Sequence, residues 1–255
     1  MSVYVLEDIG KREYQEDRHS VEFDLYDGYD FYSIFDGHGG NQVSTFLKLY
    51  YKEVLRGELV DHDDPKTALY SSFEIISRIL PKNISYHMGS TAIVILRKKN
   101  RIWCANVGDS RMVMNFHNSM VSLSHDHKPD GVDEKKRIED LGGVVVNIEG
   151  CPRVMGDLAL SRAVGDYRLA PYVTWIPDIL VFNLNKNNNF IIMASDGLFD
   201  VFDNDEVIEK IMTSTTKTQN DSVIQRMRTT CIDLLRTARS RGSEDNITIC
   251  LISLD

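Results

Sequence analysis

The spacing of apolar positions changes several times along the chain, and each change marks an element. His19 to Leu25 alternates polar and apolar side chains, and Asp30 to Phe35 is its expected hairpin partner across Asp27-Gly28. Phe31 to Phe35 is an aromatic and β-branched run that reads as a buried strand. The period then lengthens. Val43, Phe46, Leu47, Tyr50, Tyr51 and Val54 share one helical face, which Gly57 is expected to close. A second helix is expected from Asp64-Pro65 to Leu80, with proline in its first turn and Pro81 past its end. Ser90 to Leu96 and Ile102 to Val107 read as strands, with Arg111 to Phe116 and Met120 to Leu123 continuing the same meander.

Asp133 to Leu141 reads as a short charged helix stopped by Gly142-Gly143, and Val144 to Ile148 as a strand. Pro152 to Pro177 has no clean period and reads as loop-rich. Ile179 to Leu184 and Phe190 to Ala194 are expected to form a hairpin across the asparagine-rich turn at Asn187 to Asn189. Helices follow at about Asp205 to Thr213 and Asp221 to Arg239, and Ile247 to Leu254 is the last strand. No repeat, linker or low-complexity block divides the chain. Antiparallel strands with helices in pairs point to an α+β fold, two packed sheets with helices outside, in one domain over residues 1–255.

Composition narrows the partners. The 255 residues are 42% hydrophobic and 26% charged, enough apolar material for a large core. A formal net charge of -9 argues against nucleic acid or anionic membrane as the main partner. Cys104, Cys151, Cys231 and Cys250 show neither CxxC pairing nor zinc spacing, so reduced thiols in a reducing compartment are expected. No N-terminal signal sequence is visible, and no apolar run is long enough to cross a bilayer. The sequon Asn246-Ile247-Thr248 falls in a strand. These features fit a cytoplasmic or nuclear monomer that is not secreted.

Candidate chemistry lies where acids meet strand ends: Glu16-Asp17, Asp36, Asp196, Glu244-Asp245, and Asp109 in a turn between strands. One acid in such a place is a common cap. The repeated strand-then-Asp-Gly at Asp36 and Asp196 is different, because clustered carboxylates repel unless a cation neutralises them. An all-oxygen set favours magnesium or manganese over zinc.

Arg12-Glu13-Tyr14-Gln15-Glu16-Asp17 and Phe35-Asp36-Gly37-His38-Gly39-Gly40 resemble the metal-dependent serine/threonine protein phosphatases of the type 2C family. So do Gly89-Ser90-Thr91-Ala92, Asn106 to Arg111, Asp126-His127-Lys128-Pro129, Arg153, Leu158 to Asp166, Ala194 to Asp200, and Asp245-Asn246, all in the family's order. The resemblance implies a four-layer αββα sandwich, two antiparallel sheets flanked by helix pairs, with a dinuclear metal site at one end. It implies that Asp36 bridges two Mg2+ or Mn2+ ions and that the Gly37 carbonyl binds one of them. Asp196 and Asp245 would hold the other, and Glu16 and Asp17 would steer metal-bound water. Asp109, with Asp196, looks like the position of a weaker third ion. The activity implied is hydrolysis of phosphoserine and phosphothreonine in phosphoprotein substrates by activated water, with no phosphoenzyme. Arg12 would bind phosphate and His38 would protonate the leaving oxygen.

The alternative is a pseudophosphatase acting as a binding module for a kinase or receptor. That would normally show a lost bridging aspartate, and Asp36, Asp196 and Asp245 are all present. The spacings Cys231 to Arg236 and Cys104 to Arg111 do not fit a cysteine nucleophile. Asp203 to Val207 superficially resembles an aspartate-nucleophile loop and reads instead as a helix cap with first-turn acids. His125-Asp126-His127 reads as a surface loop, Arg162 and Asp166 as structural pairs, and Met112 and Met114 as core. The chain between Asp166 and Pro177 is short where relatives often carry a flap, and the chain begins and ends close to the outermost motifs, so no regulatory domain is expected. The resemblance predicts that EDTA abolishes phosphopeptide hydrolysis, that Mg2+ or Mn2+ restores it, and that okadaic acid leaves it intact. Full turnover in EDTA would refute the metal requirement.

Overall fold

Alternation along the strand Tyr29–Phe35 splits its side chains between two cores. Phe31 and Phe35 enter one, and Tyr32 and Ile34 enter another, because successive side chains leave opposite faces of a strand. Both faces are therefore covered, and the run reads as continuously apolar. The computed structural model describes residues 2–116, 119–217 and 221–254.

Two five-stranded antiparallel sheets face each other. One carries, in spatial order, Ser2–Asp8, Ile247–Ser253, Phe190–Ala194, Arg111–Phe116 and Ser119–Ser122. The other carries Asp178–Asn183, Arg101–Val107, Ala92–Lys98, Tyr29–Phe35 and Arg18–Tyr26. Between them Tyr32, Ile93, Ile95, Met112, Met193 and Ile252 fill a buried layer. Helices Gln42–Asp61 and Pro65–Ile79 cover the outer face of the second sheet, and Asn204–Lys217 and Val223–Ser240 cover that of the first. The four layers are the αββα sandwich that the resemblance implied.

Local chemistry sets the element ends. Asp64 accepts the Lys66 and Thr67 amides ahead of Pro65, and Ser222 and Gln225 form a reciprocal capping box. Asp203 Oδ1 accepts the Glu206 amide at 2.8 Å, the cap expected there. Asp27 and Gly28 both have positive φ, 47° and 78°, the geometry of a tight hairpin turn that matches strand twist.

Several expectations fail for tertiary reasons. Gly57 does not end its helix, which runs on to Asp61 because Leu55 and Leu59 extend the buried stripe. That packing outweighs a mid-helix glycine cost of about 1 kcal/mol. Ile179–Leu184 and Phe190–Ala194 are not a hairpin. The first segment pairs with Arg101–Val107 and the second with Ile247–Ser253 and Arg111–Phe116, in the opposite sheet. Likewise Arg111–Phe116 does not continue the meander of Arg101–Val107 but crosses to the other sheet at Gly108-Asp109. Ser2–Asp8, not anticipated as a strand, pairs along its whole length with the last strand. The Pro152 to Pro177 stretch is less irregular than expected, since Cys151–Val154 pairs with Val145–Ile148.

That hairpin and helix Val132–Asp140 form an accessory unit tied to the sandwich through Arg162. Its guanidinium donates to Glu134 Oε1 at 2.7 and 3.0 Å and to Asp178 Oδ1 at 2.7 Å. Burial opposes the charge on Glu134, but hydrogen bonds from Arg162, Ser161 and Arg137 outweigh it and hold its carboxyl down to about 2. A carboxyl depressed in the folded state stabilises the fold above its unfolded value, 4.5, and loses that contribution as pH falls toward about 2. Glu134→Gln should therefore flatten the loss of unfolding free energy between pH 4.5 and 3 in urea titrations. Identical slopes in wild type and variant would contradict this.

Candidate metal centre

Strands from both sheets end at one edge of the sandwich, and each end delivers an acid. Asp36 follows Tyr29–Phe35, Asp109 follows Arg101–Val107, Asp196 follows Phe190–Ala194, and Asp245 precedes Ile247–Ser253. The carboxylates of Asp36, Asp109 and Asp196 approach within 4.8 Å of one another. Thr91 locks this edge across the sheets. Its amide donates to the Asp36 carbonyl at 2.8 Å, its hydroxyl accepts the Asp36 amide at 3.2 Å, and the same hydroxyl lies 2.7 Å from Ser110 Oγ.

Burial and mutual repulsion make this arrangement costly for negative charge. Burial, then the fields of Asp17, Asp196 and Asp109, push the Asp36 carboxyl well above the usual carboxylate range. Burial, then Asp109, Asp200 and Asp245, do the same to Asp196. Asp17, 1% exposed, is raised to about 6 by burial, although Ser195 Oγ donates to its Oδ2 at 2.8 Å. The other oxygen of Asp17, Oδ1, is buried with no hydrogen-bond partner. A set of converging oxygens that includes a buried, unpaired one fits hard divalent cations. Asp200, at the turn after Asp196, joins this field and is itself raised by burial.

Two cations face the acids. Arg12 Nη2 donates to Asp245 Oδ2 at 2.5 Å, and Lys128 Nζ donates to Asp109. Burial opposes the charge on each, but Asp245 for Arg12 and Asp109 for Lys128 raise the affinity for the proton. The loop carrying Arg12 and Glu16 is held by Asn246. Its side-chain amide donates to the Ile9 and Tyr14 carbonyls at 2.8 and 3.1 Å and accepts the Glu16 amide at 2.7 Å. Gly37 lies beside Glu16, and a β-carbon there would sit 2.7 Å from the Glu16 carbonyl oxygen.

His38 stands at the rim. Its Nε2 lies 2.6 Å from Asp166 Oδ2, and Asp166 is 1% exposed. A carboxylate can only accept, so Nε2 carries the hydrogen and Nδ1 takes no part in this bond. The pair passes over Gly89, where a β-carbon would lie 1.9 Å from Asp166 Oδ2 and 2.5 Å from His38 Nε2. Gly89 is thus required for the pair to form.

The sequence-derived set, Arg12, Glu16, Asp17, Asp36, Gly37, His38, Asp109, Asp196 and Asp245, gathers at this edge, linked by the contacts and fields above. Sequence reasoning gave no role to Asp200, Ser195 or Thr91, read Lys128 only as fixing the exit of a surface loop, and noted Asn246 only in a sequon and in the motif it shares with Asp245. Arg162 and Asp166 do form structural pairs, though with different partners, and that of Asp166 is His38. The expectation of a surface loop at His125 to His127 fails at His127. That ring is 2% exposed, accepts the Gly108 amide on Nδ1 at 3.0 Å, and lies 3.2 Å from Asp178 through Nε2. It binds the Asp109 turn to the sheet.

The family profile described as Protein phosphatase 2C matches residues 9–247. The chain is 37% identical over 252 residues to a probable protein phosphatase 2C of Oryza sativa subsp. japonica, covering 95% of this chain and 72% of the relative. It is 37% identical over 228 residues to protein phosphatase 1L of Bos taurus, covering 83% and 62%. A serine-threonine phosphatase 2C from Toxoplasma gondii superposes with a TM-score of 0.79 at 24% identity, over 98% of this chain and 94% of that one. A C. elegans sex-determining protein superposes with a TM-score of 0.90 at 24% identity, over 100% and 65%. At that identity the two structures speak for the fold. The profile and the sequence relatives speak for descent: this chain belongs to the protein phosphatase 2C family of metal-dependent serine/threonine phosphatases.

Proposed function

We propose that residues 1–255 act as one catalytic unit that hydrolyses phosphoserine and phosphothreonine in proteins at the carboxylate-lined edge of the sandwich. The carrying observation is the approach of Asp36, Asp109 and Asp196 to within 4.8 Å, with Arg12 and His38 beside them. Asp36, the Gly37 carbonyl, Asp196 and Asp245 would hold two divalent ions. Asp109 and Asp196 would accept a weaker third. Bound Mg2+ or Mn2+ ions offset the carboxylate and phosphate charge and lower the pKa of water toward neutrality.

Every other part of the proposed reaction belongs to side chains of this chain. Asp17, anchored by Ser195, keeps Oδ1 for a water hydrogen, and Glu16, the residue before it, would take the same part. Arg12 forks onto two phosphate oxygens. His38 donates its Nδ1 proton to the serine or threonine oxygen as the P–O bond breaks, and Asp166 holds the ring in place. His38 and Asp166 together favour hydrolysis over a binding-only role, since a scaffold has no use for a carboxylate-backed acid at the rim. We place the protein in a reducing compartment, the cytoplasm or nucleus, as a monomer. The support for the compartment is three buried thiols and one half-buried thiol, all unpaired among the described residues.

His38→Ala should slow a phosphoserine peptide by about 10²- to 10⁴-fold while p-nitrophenyl phosphate, whose leaving group needs little protonation, slows far less. Asp166→Asn should show the same split in smaller measure. Equal losses on both substrates would remove the general-acid assignment. A second expectation concerns stability without metal. Asp36→Asn removes one of the repelling charges, so in EDTA it should melt above wild type by about 2–4 °C for each kcal/mol relieved. Added Mn2+ should raise the wild-type melting temperature and move the variant much less. A variant that melts lower in EDTA, or that responds fully to Mn2+, would contradict the proposed centre.

A further inference from the structure

Asp245 has both carboxylate oxygens engaged. Oδ1 accepts the Asn246 amide at 2.7 Å, and Oδ2 accepts Arg12 Nη2 at 2.5 Å. A divalent ion that used Oδ2 would compete with the guanidinium, since two positive charges would then crowd one carboxylate oxygen. Arg12 is placed to leave without disturbing the fold. Its side chain is 55% exposed, while the backbone around it is pinned by the Asn246 bonds to Ile9, Tyr14 and Glu16. Only the side chain needs to swing, and the group it would swing toward is the phosphate.

Resting on the metal-phosphatase reading above, we propose that the Arg12–Asp245 ion pair is an interlock that makes cation loading and phosphate capture cooperative. Without an ion at Asp245, Arg12 is held by the carboxylate and is withdrawn from phosphate. Ion binding at Asp245 releases the guanidinium, and phosphate then stabilises it in the released position. Coupling of this kind is reciprocal, so phosphate must also tighten the ion. The neighbouring pair Lys11–Glu244, at 3.1 Å, supplies an internal comparison. Lys11 carries the same charge one residue away but neutralises a carboxylate outside the proposed ligand set.

The test is calorimetric titration of the full chain with Mn2+, without phosphate, on wild type, Arg12→Met, Lys11→Met, Asp245→Asn and the Arg12→Met/Asp245→Asn double variant. Thermal melts would establish that each is folded. Arg12→Met should tighten one Mn2+ site by at least about fivefold, within the usual range of such couplings. Lys11→Met should change it by less than about twofold, and the Arg12→Met gain should vanish in the Asp245→Asn background. In wild type, inorganic phosphate should tighten Mn2+, and it should do so less in Arg12→Met. Equal tightening in Lys11→Met would show a general field effect and overturn the interlock. So would unchanged affinity in Arg12→Met while wild type binds Mn2+ normally, and that result would leave the phosphatase reading standing. Failure of folded wild type to bind Mn2+ at all would remove both.

Discussion

Repulsion among carboxylates forced to one edge of a rigid sandwich is the constraint on which the rest of this structure turns. Burial raises the cost of charge on Asp36 and Asp196, and the strands that carry Asp36, Asp109, Asp196 and Asp245 are too firmly paired to move apart. The folded chain therefore holds an electrostatic deficit that positive charge must relieve. Side-chain cations meet part of it, Arg12 at Asp245 and Lys128 at Asp109. The carboxylates that remain are the natural seat for divalent ions, and the free energy of binding them counts as folding stability.

The supports of the site share one feature: they are buried polar side chains that bind backbone or one another. Thr91 and Ser110 join strand ends from opposite sheets, Asn246 binds the Arg12 loop, His127 fixes the turn before Asp109, and Ser195 fixes Asp17. Each is buried, so each hydrogen bond is hard to lose without leaving an unpaired group. Precision at the edge thus comes from these polar ties as well as from the apolar layers beneath. The accessory helix and hairpin are attached by the Arg162 pairs to Glu134 and Asp178 and by an apolar cluster of Ile138 and Val154 with Ala163, Leu169 and Val173.

What the sequence by itself determined was every feature that depends on near neighbours in the chain. The hairpin at Asp27-Gly28, the Asp64-Pro65 helix start, the Asp203 cap and the buried run at Phe31 to Phe35 all follow from local propensity and period. The strand-end acids were equally visible, since an aspartate after an apolar run and before glycine is a local pattern. Their shared purpose came from the ordered set of motifs rather than from any single one.

Only the tertiary structure decided which strands lie side by side. A turn such as Asn187 to Asn189 looks the same whether its flanking strands pair with each other or belong to separate sheets, because partner choice rests on contacts far away in sequence. The same limit hid the first strand, whose pairing partner lies at the opposite end of the chain, and the burial of His127. It also hid the pairing of His38 with Asp166 and of Arg12 with Asp245, 128 and 233 residues apart. Long-range packing sets such distances, and no local pattern in the chain encodes them.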